Sequence, residues 1–155
     1  MSTTLTPYLH FKSGTREAFA FYEKALGAKI QAMLRYADMP APPAGSAPPE
    51  GCADFSKGPQ PDPESIMHGC LVLPGGAMLF AGDAHPAFPY DGIKGVMLAI
   101  AFDTVEEAQK AFDALAEGGK VTMPMSPAFW AKSFGMLTDR FGVDWGINGE
   151  NIPLP

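Results

Sequence analysis

The sequence has few of the features that mark a redox, membrane or nucleic-acid function. Among 155 residues there are two cysteines, Cys52 and Cys70, and their spacing matches no metal or redox motif. Two isolated cysteines are typical of a chain that stays reduced in the cytoplasm, where disulfides are rare. Only 11 basic residues stand against 17 acidic ones, for a net charge of −6. Because phosphate binding requires a basic surface, we expect no nucleic-acid partner.

Long apolar runs and nucleotide motifs are also absent. No stretch approaches the roughly 20 apolar residues of a membrane helix, and the start of the chain resembles no signal peptide. No G-x-G-x-x-G loop follows a predicted strand, and no G-x-S-x-G is present, so neither a dinucleotide site nor a serine nucleophile is predicted. We therefore expect a cytoplasmic globular protein with no cofactor and no membrane partner.

What the chain does contain is an internal repeat with an offset of 90 residues. Apolar residues at helical spacing predict amphipathic helices at Thr15–Leu26 and Val105–Ala116, each followed by a glycine that favours a helix end. A short apolar strand precedes each helix, at Pro7–Phe11 and Val96–Phe102, and further strands around a glycine hairpin follow each. The repeat therefore predicts an α+β fold built from two copies of strand, helix and several strands.

The repeat also sets the expected organisation of the chain. We predict one domain over residues 1–155, with module one at about 5–84 and module two at about 95–150. The strand at 96–102 is apolar throughout, so we expect both of its faces to be covered. Residues 38–63 hold eight of the 16 prolines and little apolar periodicity. This segment is predicted to be a long irregular flap, either over a pocket or as a disordered surface insertion.

Two motifs resemble a known superfamily. Residues 20–27 (AFYEKALG) and 139–142 (DRFG) are similar to the first-helix signature and the last hairpin of the vicinal oxygen chelate proteins. That superfamily includes glyoxalases, extradiol dioxygenases and bleomycin- or fosfomycin-resistance proteins. Segments at residues 6–9, 67–68, 79–83, 118–121 and 129–136 resemble its PhnB-like branch, which is also labelled 3-demethylubiquinone-9 3-methyltransferase-like. The resemblance implies paired βαβββ modules that form a U-shaped mixed sheet around a central cavity, commonly as a homodimer.

The resemblance also implies where a metal would bind. Members that use a divalent ion supply His, Gln or Glu from the first and last strand of each module. Counting from the two motifs places those positions at Pro7, Phe80, Met97 and Gly146. None of these residues has a side chain that suits a hard or borderline cation. We therefore expect no metal at the superfamily position.

Other residues are candidates for a ligand pocket. The expected pocket residues are His68, Phe80, Asp83, Trp130 and Trp145. His10 has the opposite strand parity to Pro7, so its side chain is expected to face the helix layer rather than the cavity. His85 is expected to be solvated. Asp139 is expected to cap the last hairpin.

Two functions remain open at this point. The first is metal-free binding of a small molecule in the cavity between the modules, as the resistance proteins of the superfamily sequester their ligands. The second is a glyoxalase- or dioxygenase-like enzyme, which would use an unrecognised metal site or His68 and Asp83 as acid and base.

Overall fold

The computed structural model describes residues 1–52 and 54–154, and these form two βαβββ modules. The first contains β1 (Tyr8–Phe11), α1 (Thr15–Leu26), β2 (Lys29–Arg35), β3 (Ile66–Val72) and β4 (Met78–Asp83). The second contains β5 (Met97–Phe102), α2 (Val105–Ala116), β6 (Lys120–Ser126), β7 (Ala131–Thr138) and β8 (Asp144–Asn151). The predicted α+β class, the two modules and both helix ranges are confirmed.

The two sheets repeat the same topology. Their strand orders are β1-β4-β3-β2 and β5-β8-β7-β6, and in each sheet the first pair is parallel and the others are antiparallel. The two compact units of the chain do not follow the modules in sequence. One unit combines Met1–Phe19 with Lys29–Gly92, and the other combines Ala20–Ala28 with the residues from Ile93 onward. The second half of α1 therefore belongs to the unit that contains the second sheet.

The helices bury the faces that their sequence periodicity predicts. In α2 the buried side chains are Ala108, Ala111, Phe112 and Leu115, and in α1 Phe19 and Tyr22 are fully buried. The Thr104 hydroxyl accepts a hydrogen bond from the Glu107 amide and so caps α2 as expected. Gly27 ends α1 in the left-handed region, with φ of 65°, where a side chain would be strained.

The two modules join their helix to their last strand by different means. In the first module both the amide and the hydroxyl of Thr15 donate to Asp83 Oδ1, at 3.0 and 2.8 Å, and the Ile66 amide donates to Oδ2 at 2.8 Å. In the second module Gly149 of β8 pairs with Phe102, the last residue of β5. A Cβ there would lie 2.8 Å from the Ala108 Cβ and 3.1 Å from the Val105 Cα. A carboxylate thus fixes one junction, and close backbone packing fixes the other.

The proline-rich segment between β2 and β3 is irregular apart from two short 3-10 turns, at Tyr36–Asp38 and Phe55–Lys57. Ala53, inside the predicted flap, lies outside the described residues. The base of the segment is closed by Arg35, whose guanidinium contacts Asp38 at 2.8 Å and Glu64 at 3.1 Å. Hydrogen bonds from Arg35 hold the pKa of the Asp38 carboxyl down at about 2.

One sequence expectation about the strands differs from the structure. β5 was expected to be covered on both faces, but it is not. Met97 in this strand is 45% exposed, and Val96 just before it is 53% exposed. The physical reason is that β5 is an edge strand, paired only with β8, and α2 covers one face of the sheet. Neither helix, at 12 residues each, is long and apolar enough to cross a membrane.

The junction at Gly149 yields a stability prediction. We expect Gly149→Ala to lower the free energy of unfolding by about 1–3 kcal/mol, because the added methyl overlaps the first turn of α2. Urea unfolding followed by circular dichroism measures the change. Gly58→Ala is the matched control, because a Cβ at Gly58 meets only the Ala87 Cβ at an ordinary 3.9 Å. Equal stability of the two variants would show that the close approach does not constrain the junction.

Candidate functional site

The face of the first sheet that carries Tyr8 holds a cluster of four rings. Tyr8 stacks on His10 with ring centroids 5.1 Å apart, and the His68 ring lies 5.5 Å from Tyr8 and 5.0 Å from Phe80. Tyr8 and Phe80 meet edge to face at 6.1 Å. Leu9 and Phe11, on the opposite face of β1, are 4% and 2% exposed, whereas Tyr8 is 40% exposed. We call Tyr8, His10, His68 and Phe80 the imidazole surface.

Tyr8 gives this surface its polar centre. Its hydroxyl lies 3.1 Å from the Met67 carbonyl oxygen and 3.1 Å from His68 Nδ1. To reach them from β1 the side chain crosses β4 at Gly82, where a Cβ would lie 3.2 Å from the Tyr8 hydroxyl and 2.6 Å from the Met67 oxygen. Glycine at position 82 therefore opens the path across the strand. Burial, followed by the charge of Tyr36, raises the pKa of the Tyr8 hydroxyl, which consequently keeps its proton.

The structure separates the expected acid–base pair. His68 and Phe80, two of the residues predicted for a pocket, lie together on the imidazole surface. Asp83 has the opposite parity to Phe80 along β4, is 8% exposed, and bonds to Thr15 at the start of α1. The expectation that Asp83 joins His68 at one site is therefore wrong, because its two oxygens hold the helix to the sheet.

The other two histidines also differ from expectation. His10 was expected in the helix layer, but it is exposed and stacks on Tyr8. His85 was expected to be solvated. Instead its ring packs between those of Phe55 and Phe88, at 5.5 and 6.0 Å, and its Nδ1 accepts a hydrogen bond from the Ala87 amide at 3.1 Å. Phe55 belongs to the proline-rich segment, so His85 anchors that segment.

A second group of rings lies within the second unit. Trp130 Nε1 donates to Asn148 Oδ1 at 2.9 Å, and the Trp130 ring contacts those of Phe134 at 5.1 Å and Phe129 at 4.7 Å. A Cβ at Gly146 would lie 2.9 Å from Met97 Cε and 3.4 Å from the Phe134 ring, so these residues share one face. We call Met97, Trp130, Phe134 and Gly146 the tryptophan surface. It contains the predicted pocket residue Trp130.

Trp145, in contrast, is part of a core rather than of this surface. It is 2% exposed, and its Nε1 donates to Asp139 Oδ2 at 2.8 Å, beside the Tyr22 hydroxyl at 2.6 Å. Asp139 Oδ1 accepts from the amides of Phe141 and Val143 at 2.8 and 3.0 Å. Burial and then Asp139 raise the pKa of Tyr22 well above its ordinary value. Asp139 caps the hairpin as expected, and Trp145 is not available as a pocket wall.

The positions counted for a metal carry no suitable donors. Phe80 lies on the imidazole surface, and Met97 and Gly146 lie side by side on the tryptophan surface. Pro7 precedes β1, and its carbonyl accepts from the Phe80 amide at 3.0 Å. By the pairing of β1 with β4 and of β5 with β8, the residue equivalent to Met97 is Thr6 rather than Pro7, and a threonine hydroxyl supplies no imidazole or carboxylate donor either. Among residues 1–52 and 54–154 no group of three or more His, Cys, Asp or Glu residues could hold a metal ion. This donor set does not fit the divalent ion of the superfamily.

The register difference has a local cause. Three residues lie between the end of β1 at Phe11 and the start of α1 at Thr15, but only two lie between Phe102 and Val105. Helix positions therefore repeat at an offset of 90, whereas Tyr8, which pairs with Phe80, corresponds to Ala99, which pairs with Gly146. Because strand side chains alternate between faces, one extra turn residue changes which side chain faces outward.

The fold and sequence place the chain in a family. It belongs to the glyoxalase/bleomycin resistance protein/dioxygenase superfamily, whose family model matches residues 8–147. The resemblance to the vicinal oxygen chelate proteins is confirmed. The chain is 35% identical over 144 residues to Protein YjdN of Escherichia coli (strain K12), with 93% of each chain covered.

Solved structures agree with this assignment. Protein PA1353 from Pseudomonas aeruginosa has 46% identity and a TM-score of 0.77, with 95% of this chain and 97% of that chain covered. A putative 3-demethylubiquinone-9 3-methyltransferase, PhnB protein, from Bacillus cereus has a TM-score of 0.68. Its identity is 22%, over 94% of this chain and 98% of that chain, and it supports the fold alone.

The sequence reading missed two residues that shape the open face of the first sheet. Tyr8 and Gly82 lie within the resembling segments at residues 6–9 and 79–83, but neither was singled out as a site residue. A signal was nevertheless present, because Tyr8 and His10 share one strand face, as the alternation in β1 requires. The contact between Tyr8 and His68 spans 60 residues, and no local pattern predicts it.

The Asp139 core gives a second prediction. We expect Asp139→Asn to lower the free energy of unfolding by about 2–4 kcal/mol, because an amide nitrogen would face at least one of the buried donors that the carboxylate accepts. Chemical unfolding followed by Trp145 fluorescence measures the loss. Asp113→Asn on the exposed face of α2 is the control and should leave stability unchanged. Similar stability for both variants would contradict a structural role for the carboxylate.

Proposed function

We propose that this protein binds a small, planar, partly aromatic molecule without a metal ion, with the imidazole surface as its main contact. The observation that carries the proposal is the placement of a phenol hydroxyl and an imidazole beside Phe80 on a partly exposed sheet face. Small-molecule sites are usually apolar and aromatic, with a few polar groups that fix the ligand's orientation. The imidazole surface combines both kinds of group.

The tryptophan surface supports the same class of ligand. Phe129 is 77% exposed and Met97 is 45% exposed beside Trp130. Flexible methionine and rigid aromatic side chains together suit an apolar planar molecule. The Trp130 indole N–H is already bonded to Asn148, so this surface contributes contact area rather than a polar anchor.

Binding is favoured over catalysis by the surroundings of the candidate acid and base. An enzyme that used His68 and Asp83 would need both groups beside one substrate, yet Asp83 is bonded to Thr15 and Ile66 on the helix side. An enzyme of the metal-dependent type would need donors at the positions counted from the motifs, which are held by Pro7, Phe80, Met97 and Gly146. A dication without anionic or imidazole ligands at those positions would be strongly destabilised.

The proposal includes a homodimer in the cytoplasm. Several apolar side chains on the strands and around them are partly exposed, namely Leu34, Met78, Val96, Val121 and Met123. Two-fold dimers are the commonest oligomers of soluble proteins, and they cover such side chains. Both Cys52 and Cys70 are free thiols, which suits a reducing compartment.

A ligand screen tests the function. We expect planar aromatic compounds to raise the melting temperature of metal-stripped protein, and added Zn²⁺, Ni²⁺ or Mn²⁺ to leave the response unchanged. Elemental analysis of the purified protein should show less than one metal ion per chain. Hits that require a metal, or a panel without hits, would contradict the proposal.

Phe80→Ala should weaken binding of any hit by roughly tenfold, since the aromatic contact is lost. Phe88→Ala is the matched control, because Phe88 lies in the same unit but packs on Phe55 and His85. Circular dichroism confirms that both variants fold. Equal losses in the two variants would place the ligand elsewhere.

The oligomer has its own measurement. We expect light scattering at micromolar concentration to give twice the chain mass of 16.5 kDa. The physical reason is that exposed apolar strand residues gain free energy when a second copy covers them. A mass equal to one chain across that concentration range would contradict the dimer and leave the ligand proposal standing.

A further inference from the structure

The Tyr8 hydroxyl has one proton and two hydrogen-bonding neighbours. The Met67 carbonyl oxygen and His68 Nδ1 are each 3.1 Å away. A carbonyl can only accept, whereas Nδ1 can accept or donate according to the tautomer of the imidazole. Both contacts are hydrogen bonds at the same time in one arrangement only. In it Tyr8 donates to Met67, and His68 Nδ1–H donates to the Tyr8 oxygen.

Two observations support this arrangement. The raised pKa of Tyr8 keeps its proton on the hydroxyl, so the hydroxyl can donate to Met67. The absence of a side chain at Gly82 leaves the Met67 oxygen and the Tyr8 hydroxyl in direct contact across β4. In the Nε2–H tautomer the Tyr8 proton would point to His68 Nδ1 instead. The Met67 carbonyl would then lose its hydrogen bond from Tyr8, which is unfavourable for a partly buried backbone group.

We propose that Tyr8 holds the His68 imidazole in the Nδ1–H tautomer, so that Nε2 is the hydrogen-bond acceptor that selects planar aromatic ligands bearing a hydroxyl group. This inference rests on the proposed function and names its ligand class. Within the part of the chain that the structure describes, Nε2 makes no protein hydrogen bond. His68 is the binding residue, Tyr8 and Gly82 are positioning residues, and the rings of Tyr8 and Phe80 contact the ligand's aromatic face.

The geometry also predicts the chemistry that is disfavoured. A ligand that offers only acceptors, such as an ether or a ketone, would place its oxygen against the Nε2 lone pair. A ligand hydroxyl donates to that lone pair instead, so the difference between the two ligands is one hydrogen bond. Sites that bond a ligand hydroxyl discriminate strongly against analogues that lack it, because a buried acceptor is then unpaired.

The tautomer can be measured on the wild-type protein at neutral pH. In ¹⁵N–¹H spectra of ¹⁵N-histidine protein we expect the Nδ1–H pattern for His68. His85 is an internal control for the opposite tautomer, because its Nδ1 accepts from the Ala87 amide. In Tyr8→Phe we expect His68 to shift towards the Nε2–H tautomer. The control is Tyr90→Phe, which removes a hydroxyl that donates to the His10 carbonyl and should leave the His68 tautomer unchanged. An Nε2–H pattern for His68 in the wild type would overturn the inference.

The ligand class is tested with a matched pair of probes, 2-naphthol and 2-methoxynaphthalene, by isothermal titration. We expect the naphthol to bind at least tenfold more tightly to the wild type. In His68→Phe, which keeps a ring beside Phe80, the two should bind alike. Equal binding of both probes to the wild type would overturn the hydroxyl selectivity and leave the proposed function intact. Failure of both probes, together with a panel without hits, would overturn the proposed function as well.

Discussion

The second unit depends on one buried carboxylate. Asp139 is 3% exposed and accepts hydrogen bonds from the Tyr22 hydroxyl, the Trp145 indole and the amides of Phe141 and Val143. A carboxylate removed from water is strongly destabilising unless such donors replace the water. α1, the hairpin at residues 139–143 and β8 must therefore be in place together. Tyr22 of α1 is part of this requirement, because its hydroxyl is one of the four donors. This constraint explains why residues 20–28 belong to the unit of the second sheet.

The two modules show that a repeated architecture does not require repeated residues. Asp83 accepts from the start of α1, whereas Gly149 lets the start of α2 approach the strand directly. Both helix N-termini still have an acceptor for their free amides, which is Asp83 for α1 and the Thr104 hydroxyl for α2. The consequence for the site is chemical. The Asp83 carboxylate lies on the helix side, so the imidazole surface presents uncharged or weakly basic rings.

The fold could be predicted from the sequence because its signals are local. Helical periodicity and the glycines after each helix defined α1 and α2 to the residue, and the offset of 90 predicted the two modules. The site could be predicted only in part, since the face of a strand side chain reverses with a shift of one residue. The longer turn before Thr15 placed Tyr8 and His10 on the open face in place of Pro7. Trp145 was misplaced because an aromatic residue gives no sign of whether its N–H meets a buried carboxylate.

Under the proposed function an imidazole orients the ligand, where a metal-dependent relative would use a divalent ion, and this difference changes what can be recognised. A divalent cation attracts anionic oxygen from many directions, because its interaction is mainly Coulombic. A neutral imidazole whose other nitrogen is bonded to Tyr8 offers one lone pair in one direction. Aromatic faces supply most of the contact area and tolerate many ring systems, but the lone pair selects the orientation. Under the proposed function, selectivity in this protein therefore depends on where a ligand carries its hydroxyl group rather than on its charge.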